Sequence, residues 1–257
     1  MTDIKKAIEL KGVSAGYGKE TVLRGVDLSF DKGKLTSIIG VNGCGKSTLL
    51  KTAIGIVEQN EGEIFIDGIR LSDMKRNEIA KRVAYLSQGK STPDMTVMQT
   101  VLHGRFAHLG YPRRYSSRDR ELAYSSMERV GIAALAEKPM YALSGGMRQM
   151  AYIAMALAQE TDYILLDEPT TYLDIGHQHE VLALLRELAD GGKGIVAVMH
   201  DLALAFTFSD EIAVLGDGGL AAKAPPDELS ASPVIRQTLG VSVERIDGEN
   251  KYYLIKC

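Results

Sequence analysis

Polar and apolar residues alternate near the start of the chain and give way to continuous apolar runs further along. Ile8, Leu10 and Val13 lead to the turn-prone Gly16-Tyr17-Gly18, and Val26, Leu28 and Phe30 alternate with Asp27 and Ser29. A two-residue period describes strands buried on one face. Residues 35–39 are a β-prone run, while 83–86, 163–166 and 195–199 are unbroken apolar runs. Runs of that kind suit strands covered on both faces, the habit of parallel sheets. Val181, Leu184, Leu185 and Leu188 follow helical spacing until Asp190-Gly191-Gly192 stops them. Residues 47–54, 95–109, 116–130 and 144–159 also read as helices. The third of these opens on a capping box, Ser116-x-x-Asp119, and ends at Gly131. Hairpins are expected at 62–71 around Asp67-Gly68, at 212–219, and at 243–255 around Asp247-Gly248.

This order predicts an α/β fold with a mostly parallel sheet, preceded by an antiparallel β subdomain. From Gly89 to about Pro139 the pattern turns helical, around a basic, turn-prone patch at Tyr111-Pro112-Arg113-Arg114-Tyr115. A helical subdomain inserted at about 89–158 into a single domain over 1–257 is expected. The chain holds no tandem repeat and no low-complexity tract.

Composition narrows the function classes. The 257 residues are 45% hydrophobic and 25% charged, an ordinary globular balance with ample core. A net charge of −3 gives no electrostatic reason to expect a nucleic-acid partner. Two cysteines, Cys44 and Cys257, suggest no disulfide framework and point to a reducing compartment. The N-terminal stretch lacks the apolar core of a secretory leader, and no run of 18 apolar residues is present, so no span is expected.

Residues 40–48 read G-V-N-G-C-G-K-S-T, which fits the phosphate-binding loop G-x-x-x-x-G-K-[ST]. The glycines let backbone approach phosphate, and N–H groups from Asn42 to Thr48 then face the anion. Lys46 can reach the β- and γ-phosphates, and the Ser47 hydroxyl can ligate Mg²⁺. The plainer alternative is a Gly-rich turn with a surface lysine. A second element, Leu166-Asp167-Glu168-Pro169, places two carboxylates after a buried strand. Asp167 could hold the Mg²⁺ shell, and Glu168 could activate the water that attacks the γ-phosphate; a solvated acidic turn is the alternative. A third, Leu143-Ser144-Gly145-Gly146-Met147-Arg148-Gln149, makes another anion-binding helix terminus or an ordinary N-cap.

In this order the three motifs resemble the ATPase subunit of ABC transporters, over nearly the whole chain. The resemblance implies that Tyr17 stacks on adenine, Gln88 ligates Mg²⁺ and senses the γ-phosphate, Leu173-Asp174 is the D-loop, and His200 is the switch histidine. It further implies that ATP lies between Lys46 of one chain and Ser144, Gly145 and Gly146 of a second copy. Lys46, Glu168 and His200 would serve catalysis there. A polytopic membrane permease would be the working partner, with an extracytoplasmic substrate-binding protein acting through it and no nucleic acid. The expected location is peripheral, on the cytoplasmic face of the cell (inner) membrane. Residues 169–178 (P-T-T-Y-L-D-I-G-H-Q) and Gly104-Arg105-x-x-His108-Leu109-Gly110 are similar to importers of iron–siderophore, haem and cobalamin complexes.

Met147 replaces the family's usual glutamine, and Met150 and Met155 stand where relatives often carry arginine. The Ser-Gly-Gly itself is intact, so activity is expected to survive. Cys44 lies at a helix N-terminus, a setting that can lower a thiol pKa, but an inert small residue is the preferred reading. His177 and His179 are two apart and do not face each other on a helix. The apolar stripe from Met95 to Phe106 reads as helical core or as the permease-docking surface. A soluble ABC-type ATPase in DNA repair or translation is the rival function. The interval before Leu143 carries no long heptad run, however, and the chain holds one such domain. A metabolic kinase would leave Leu143–Gln149 and His200 unexplained.

Overall fold

The alternating N-terminal segments form β1 (Ala7–Tyr17) and β2 (Glu20–Asp31) in the computed structural model, which describes residues 7–89, 92–171, 173–246 and 252–256. β1 pairs antiparallel with β2 and with β4 (Gln59–Ile66), and β5 (Ile69–Arg70) completes the order β2-β1-β4-β5. Ile8, Leu10, Val13, Val26, Leu28 and Phe30 are all buried, as their alternation requires. Asp67 and Gly68 both take positive φ, the requirement of the tight turn between β4 and β5.

The chain divides into two compact units. The first holds the described residues up to Lys75 and from Leu182 onward. There β3 (Leu35–Gly40) runs parallel to both β8 (Gly194–Val198) and β9 (Glu211–Gly216), and β10 (Gly219–Ala224) folds back antiparallel on β9. All five residues of β8 are buried, which explains its unbroken apolar run. α1 (Lys46–Ala53) follows β3, and α7 (Leu202–Phe208), α8 (Pro226–Ala231) and α9 (Val234–Leu239) complete this unit's helices. β11 (Ser242–Ile246) pairs antiparallel with β12 (Tyr252–Lys256) as expected; its Asp247-Gly248 turn lies outside the described residues, as does Cys257. The Tyr253 hydroxyl donates to Asp227 at 2.6 Å, and its ring lies 5.2 Å from that of Phe206, tying the hairpin to α8 and α7.

The second unit spans Arg76–Val181. α2 (Arg76–Arg82) leads into β6 (Val83–Leu86), which runs parallel to β7 (Tyr163–Asp167). Its further helices are α3 (Val97–Leu102), α4 (Ser117–Arg129) and α5 (Gly145–Ala158). α6 (Ile175–Asp190) covers the chain's passage from this unit back to the first.

The helix expected over 95–109 is shorter than the pattern implied. α3 starts after a capping box between Thr96 and Gln99 and gives way to 3-10 turns at His103–His108. At Gly104 the backbone is drawn against α5: an added Cβ would stand 2.2 Å from the Met155 carbonyl oxygen. Among the described residues no helix is long and apolar enough to cross a membrane.

α4 keeps the capping box read from the sequence. The Ser116 N–H and hydroxyl donate to Asp119 at 2.9 and 2.7 Å, and Arg105 Nε donates to the same carboxylate at 3.0 Å. These bonds, the Ser116 hydroxyl foremost, outweigh burial and lower the Asp119 pKa to about 2. Because the folded carboxyl titrates below its unfolded value, this stabilisation is present above about pH 4 and is lost as pH falls toward 2. Asp119→Asn is therefore expected to cost about 2 kcal/mol at pH 7, with the gap roughly halved near pH 3. Denaturant titrations of both proteins across that range check it, and a gap that does not change with pH would contradict it.

Candidate functional site

In the first unit the site starts at the C-terminal end of β3, where the chain turns through residues 40–45 into α1. Gly43 and Gly45 have φ of 80° and 103°, and Gly45 is the helix N-cap. A Cβ at Gly45 would lie 2.9 Å from Leu23 Cδ2, and one at Gly40 would lie 2.5 Å from the Leu215 carbonyl oxygen. The loop is thus packed too closely against Leu23 and the Leu215 carbonyl for a side chain at either glycine. Lys46, 6% exposed, folds over it and donates through Nζ to the carbonyls of Gly40 and Val41 at 2.8 and 2.9 Å. Asn42 and Gly43 are exposed on the rim, Thr48 is buried and Ser47 is partly so.

Cys44 takes the inert of its two readings. Its thiol is buried, and desolvation raises its pKa. The Lys46 charge and the backbone N–H groups pull the other way without prevailing, so the helix terminus does not make a reactive thiolate.

Because β8 pairs in parallel with β3, its C-terminal end opens on the same edge as the phosphate loop. The Met199 N–H donates to the Ile38 carbonyl at 3.0 Å, and the Asp201 carboxylate caps α7 by accepting from the Leu204 N–H at 3.0 Å. His200 stands exposed between these two anchors. Tyr17, 52% exposed, ends β1 just before the Gly18 turn. That exposure suits a ring waiting for a flat partner.

In the second unit β6 and β7 present their ends together, Leu86 opposite Leu166. Asp167 closes β7 at 3% exposed, with the Tyr85 hydroxyl 3.5 Å from its Oδ2. Glu168 follows in the left-handed region at φ 56°. Gln88 Nε2 donates to Glu168 Oε2 at 2.5 Å, and the Thr171 hydroxyl donates to the same oxygen at 3.0 Å. These groups line one polar cleft with Gln149 and Tyr152. Gln149 Nε2 donates to the Pro169 carbonyl at 2.9 Å, linking the first turn of α5 to the acidic turn. Thr171 and Gln149 lie within motifs read from the sequence but carry no site role there. The Pro-Thr-Thr after the two carboxylates is the available signal for Thr171; Gln149 closes the Leu143–Gln149 motif, but nothing local aims it at the acidic turn.

Ser144 caps α5, its hydroxyl accepting from the Met147 N–H at 3.2 Å. Ser144 and Gly145 are exposed, and a Cβ on Gly146 would sit 3.4 Å from Leu173 Cδ2. Of the departures from family pattern, Met147 is 45% exposed, Met150 is buried and Met155 is partly buried. Asp174 accepts from the His177 N–H at 2.9 Å and lies 2.8 Å from its Nδ1. The His177 N–H foremost holds the Asp174 carboxyl below its usual range. His177 is therefore engaged with its own helix start. Tyr172 lies outside the described residues.

Residues 23–171 match the model of the ABC transporter family. The chain belongs to that family, as an ATP-binding protein. It is 40% identical over 235 residues to the petrobactin import ATP-binding protein FpuD of Bacillus anthracis, covering 91% of this chain and 86% of that one. Among solved structures, an inward-facing transporter assigned to the metal-chelate type matches with a TM-score of 0.84 at 25% identity, over 98% of both chains. A dimeric ATP-binding cassette in a post-hydrolysis state with ADP and Pi matches with a TM-score of 0.75 at 29% identity, over 85% of this chain and 98% of that one.

Proposed function

We propose that two copies of this chain power a membrane importer for an iron–siderophore or similar metal chelate. ATP-binding proteins of this family hydrolyse ATP to drive transport. The reading rests above all on the exposed, capped terminus of α5 at Ser144-Gly145-Gly146, a second phosphate-binding element in a chain that already carries a phosphate loop. In the closed pair, ATP phosphates are held by the loop and Lys46 of one copy and met by Ser144-Gly145-Gly146 of the other, with Asp174 beside them. Tyr17 stacks on adenine. Glu168 takes the proton of the attacking water and His200 contacts the γ-phosphate. Hydrolysis and product release reopen the pair.

Mg²⁺ fits the residues available to it. Ser47, Gln88 and Asp167 offer hard oxygen donors, the set this cation prefers. Gln88 gives its amide nitrogen to Glu168, so its carbonyl oxygen is the atom left to meet a cation. The ion would neutralise charge developing on the phosphates.

The groove on the helical segment, lined by Asp94, Met95, Gln99, Leu102, His103 and Tyr115, suits a permease's cytoplasmic surface. There the Met95–Phe106 stripe serves two ends, with Val97, Val101 and Leu102 in the core and Phe106 half exposed. One cassette over the whole chain, with its helical part at about 89–158, belongs to this reading. So do an extracytoplasmic binding protein upstream of the permease and a peripheral place on the cytoplasmic face of the membrane. The siderophore preference follows the petrobactin relative and the metal-chelate likeness.

The paired site is checked by rate against concentration. Where the isolated chain is mostly monomeric, ATPase activity is expected to rise faster than linearly with protein. Strict proportionality over that range would favour a site complete within one chain.

A further inference from the structure

The segment Gly104-Arg105-x-x-His108 takes no part in the site described above, yet it is built with care around the C-terminal end of α5. The backbone at Gly104 presses on the Met155 carbonyl, closer than any side chain allows. Arg105 Nη1 donates to the Ala158 carbonyl at 2.7 Å and to Glu160 at 2.9 Å, while its Nε donates to Asp119. His108 Nε2 lies 2.9 Å from the Gln159 carbonyl, and as a donor it satisfies that oxygen. The last carbonyls of a helix lack partners within it and carry partial negative charge. A guanidinium and an imidazole N–H answer both needs. Gln159 continues the network: its Nε2 donates to the carbonyls of Ala80 and Val83 at 2.5 and 3.2 Å. Val83 starts β6, the strand whose far end leads to Gln88.

We propose that Arg105 and His108 are positioning residues that set the tilt of α5 and so place Ser144-Gly145-Gly146, at its opposite end, against the nucleotide of a second copy. The proposal rests on the paired-copy reading above. Leverage gives it weight. α5 has 14 residues, a length of about 21 Å at 1.5 Å per residue. A tilt of about 5° at the clamped end carries the other end roughly 2 Å. Hydrogen bonds to phosphate tolerate far less, and a misplacement of about 1 Å can cost on the order of 10²-fold. The 3-10 turns that carry Arg105 and His108 continue α3, so the clamp also ties that helix to the C-terminal end of α5.

His108 is the residue to change, since removing Arg105 would also take away the only cation contacting the buried Asp119 carboxylate among the described contacts. In the full chain, His108→Leu deletes the donor and His108→Gln retains one. Three quantities are read: nucleotide affinity of the dilute chain, thermal midpoint, and the protein concentration giving half-maximal ATPase. For His108→Leu, affinity stays within about twofold and the half-maximal concentration rises about tenfold, a partial form of the misplacement penalty. His108→Gln brings that concentration back most of the way. Two results overturn the proposal: a His108→Leu concentration curve coincident with wild type, or a lowered midpoint with no recovery in His108→Gln. Should His108→Leu fail to fold, Arg105→Lys, which keeps the charge but loses the fork, is read by the same criteria. A wild-type rate strictly proportional to concentration removes the paired-copy reading itself, and the proposal with it.

Discussion

Glu168→Gln is expected to bind ATP as the unchanged chain does, to pair in its presence, and to turn over ~10²–10⁴-fold more slowly, the usual loss when a general base is removed. The substitution is close to isosteric, so the contacts around position 168 persist in large part. The Thr171 hydroxyl can still donate to the new amide oxygen, as it does to Glu168 Oε2 at 3.0 Å. Asp167 is untouched at the buried end of β7. What disappears is the lone-pair basicity that accepts a proton from water. ATP should then hold two copies together long enough to be seen by size-exclusion chromatography or light scattering, because the step that reopens the pair is stalled. Undiminished turnover in this variant would remove Glu168 from the catalytic role and leave the cleft around Gln88 and Thr171 a structural one.

Lys46→Ala is expected to fail earlier, at binding. The Lys46 ammonium already sits at the loop, held by the Gly40 and Val41 carbonyls at 2.8 and 2.9 Å. Both are backbone oxygens of the loop that is to hold phosphate, so the cation is in place before the nucleotide arrives. Removing it takes away a charge-assisted contact to the phosphates, and such bonds are worth about 1.5–3 kcal/mol. That corresponds to roughly a 10- to 150-fold loss of affinity, with hydrolysis falling at least as far. Equilibrium titration with a fluorescent ATP analogue separates the two effects. Unchanged affinity would contradict the phosphate-loop role, however slow the turnover. A variant impaired in binding and a variant impaired in turnover therefore test different atoms of the same site.

The sequence made the local features legible and left the long-range ones hidden. Strand, loop and helix around Lys46 were readable because glycine spacing, apolar periodicity and a β-prone run are all encoded within about fifteen neighbouring residues. The capping box at Ser116 and Asp119 is a four-residue signal and emerged intact. The equivalent box at Thr96 and Gln99 was equally local, but the apolar stripe around it drew the helix start two residues too early. The second half of that helix could not have been foreseen. The 3-10 turns coincide with the approach of Gly104 to Met155, a contact between residues far apart in sequence. The burial of the Cys44 thiol was hidden for the same kind of reason. Its helix position is local, whereas its burial depends on what the rest of the unit packs over it. At the site, residue types named the chemistry of Asp167 and Glu168, but Gln149 reaches them only through the fold.

On the proposed role of Glu168, its left-handed backbone would set activity and stability against each other at one position. A residue with a Cβ is strained there by an amount on the order of 1–3 kcal/mol, and glycine would relax it. Selection for a sturdier protein would pull position 168 toward the one amino acid that has no side chain to offer a water molecule. If Glu168 is the base proposed above, this turn keeps a side chain where glycine would be the less strained residue.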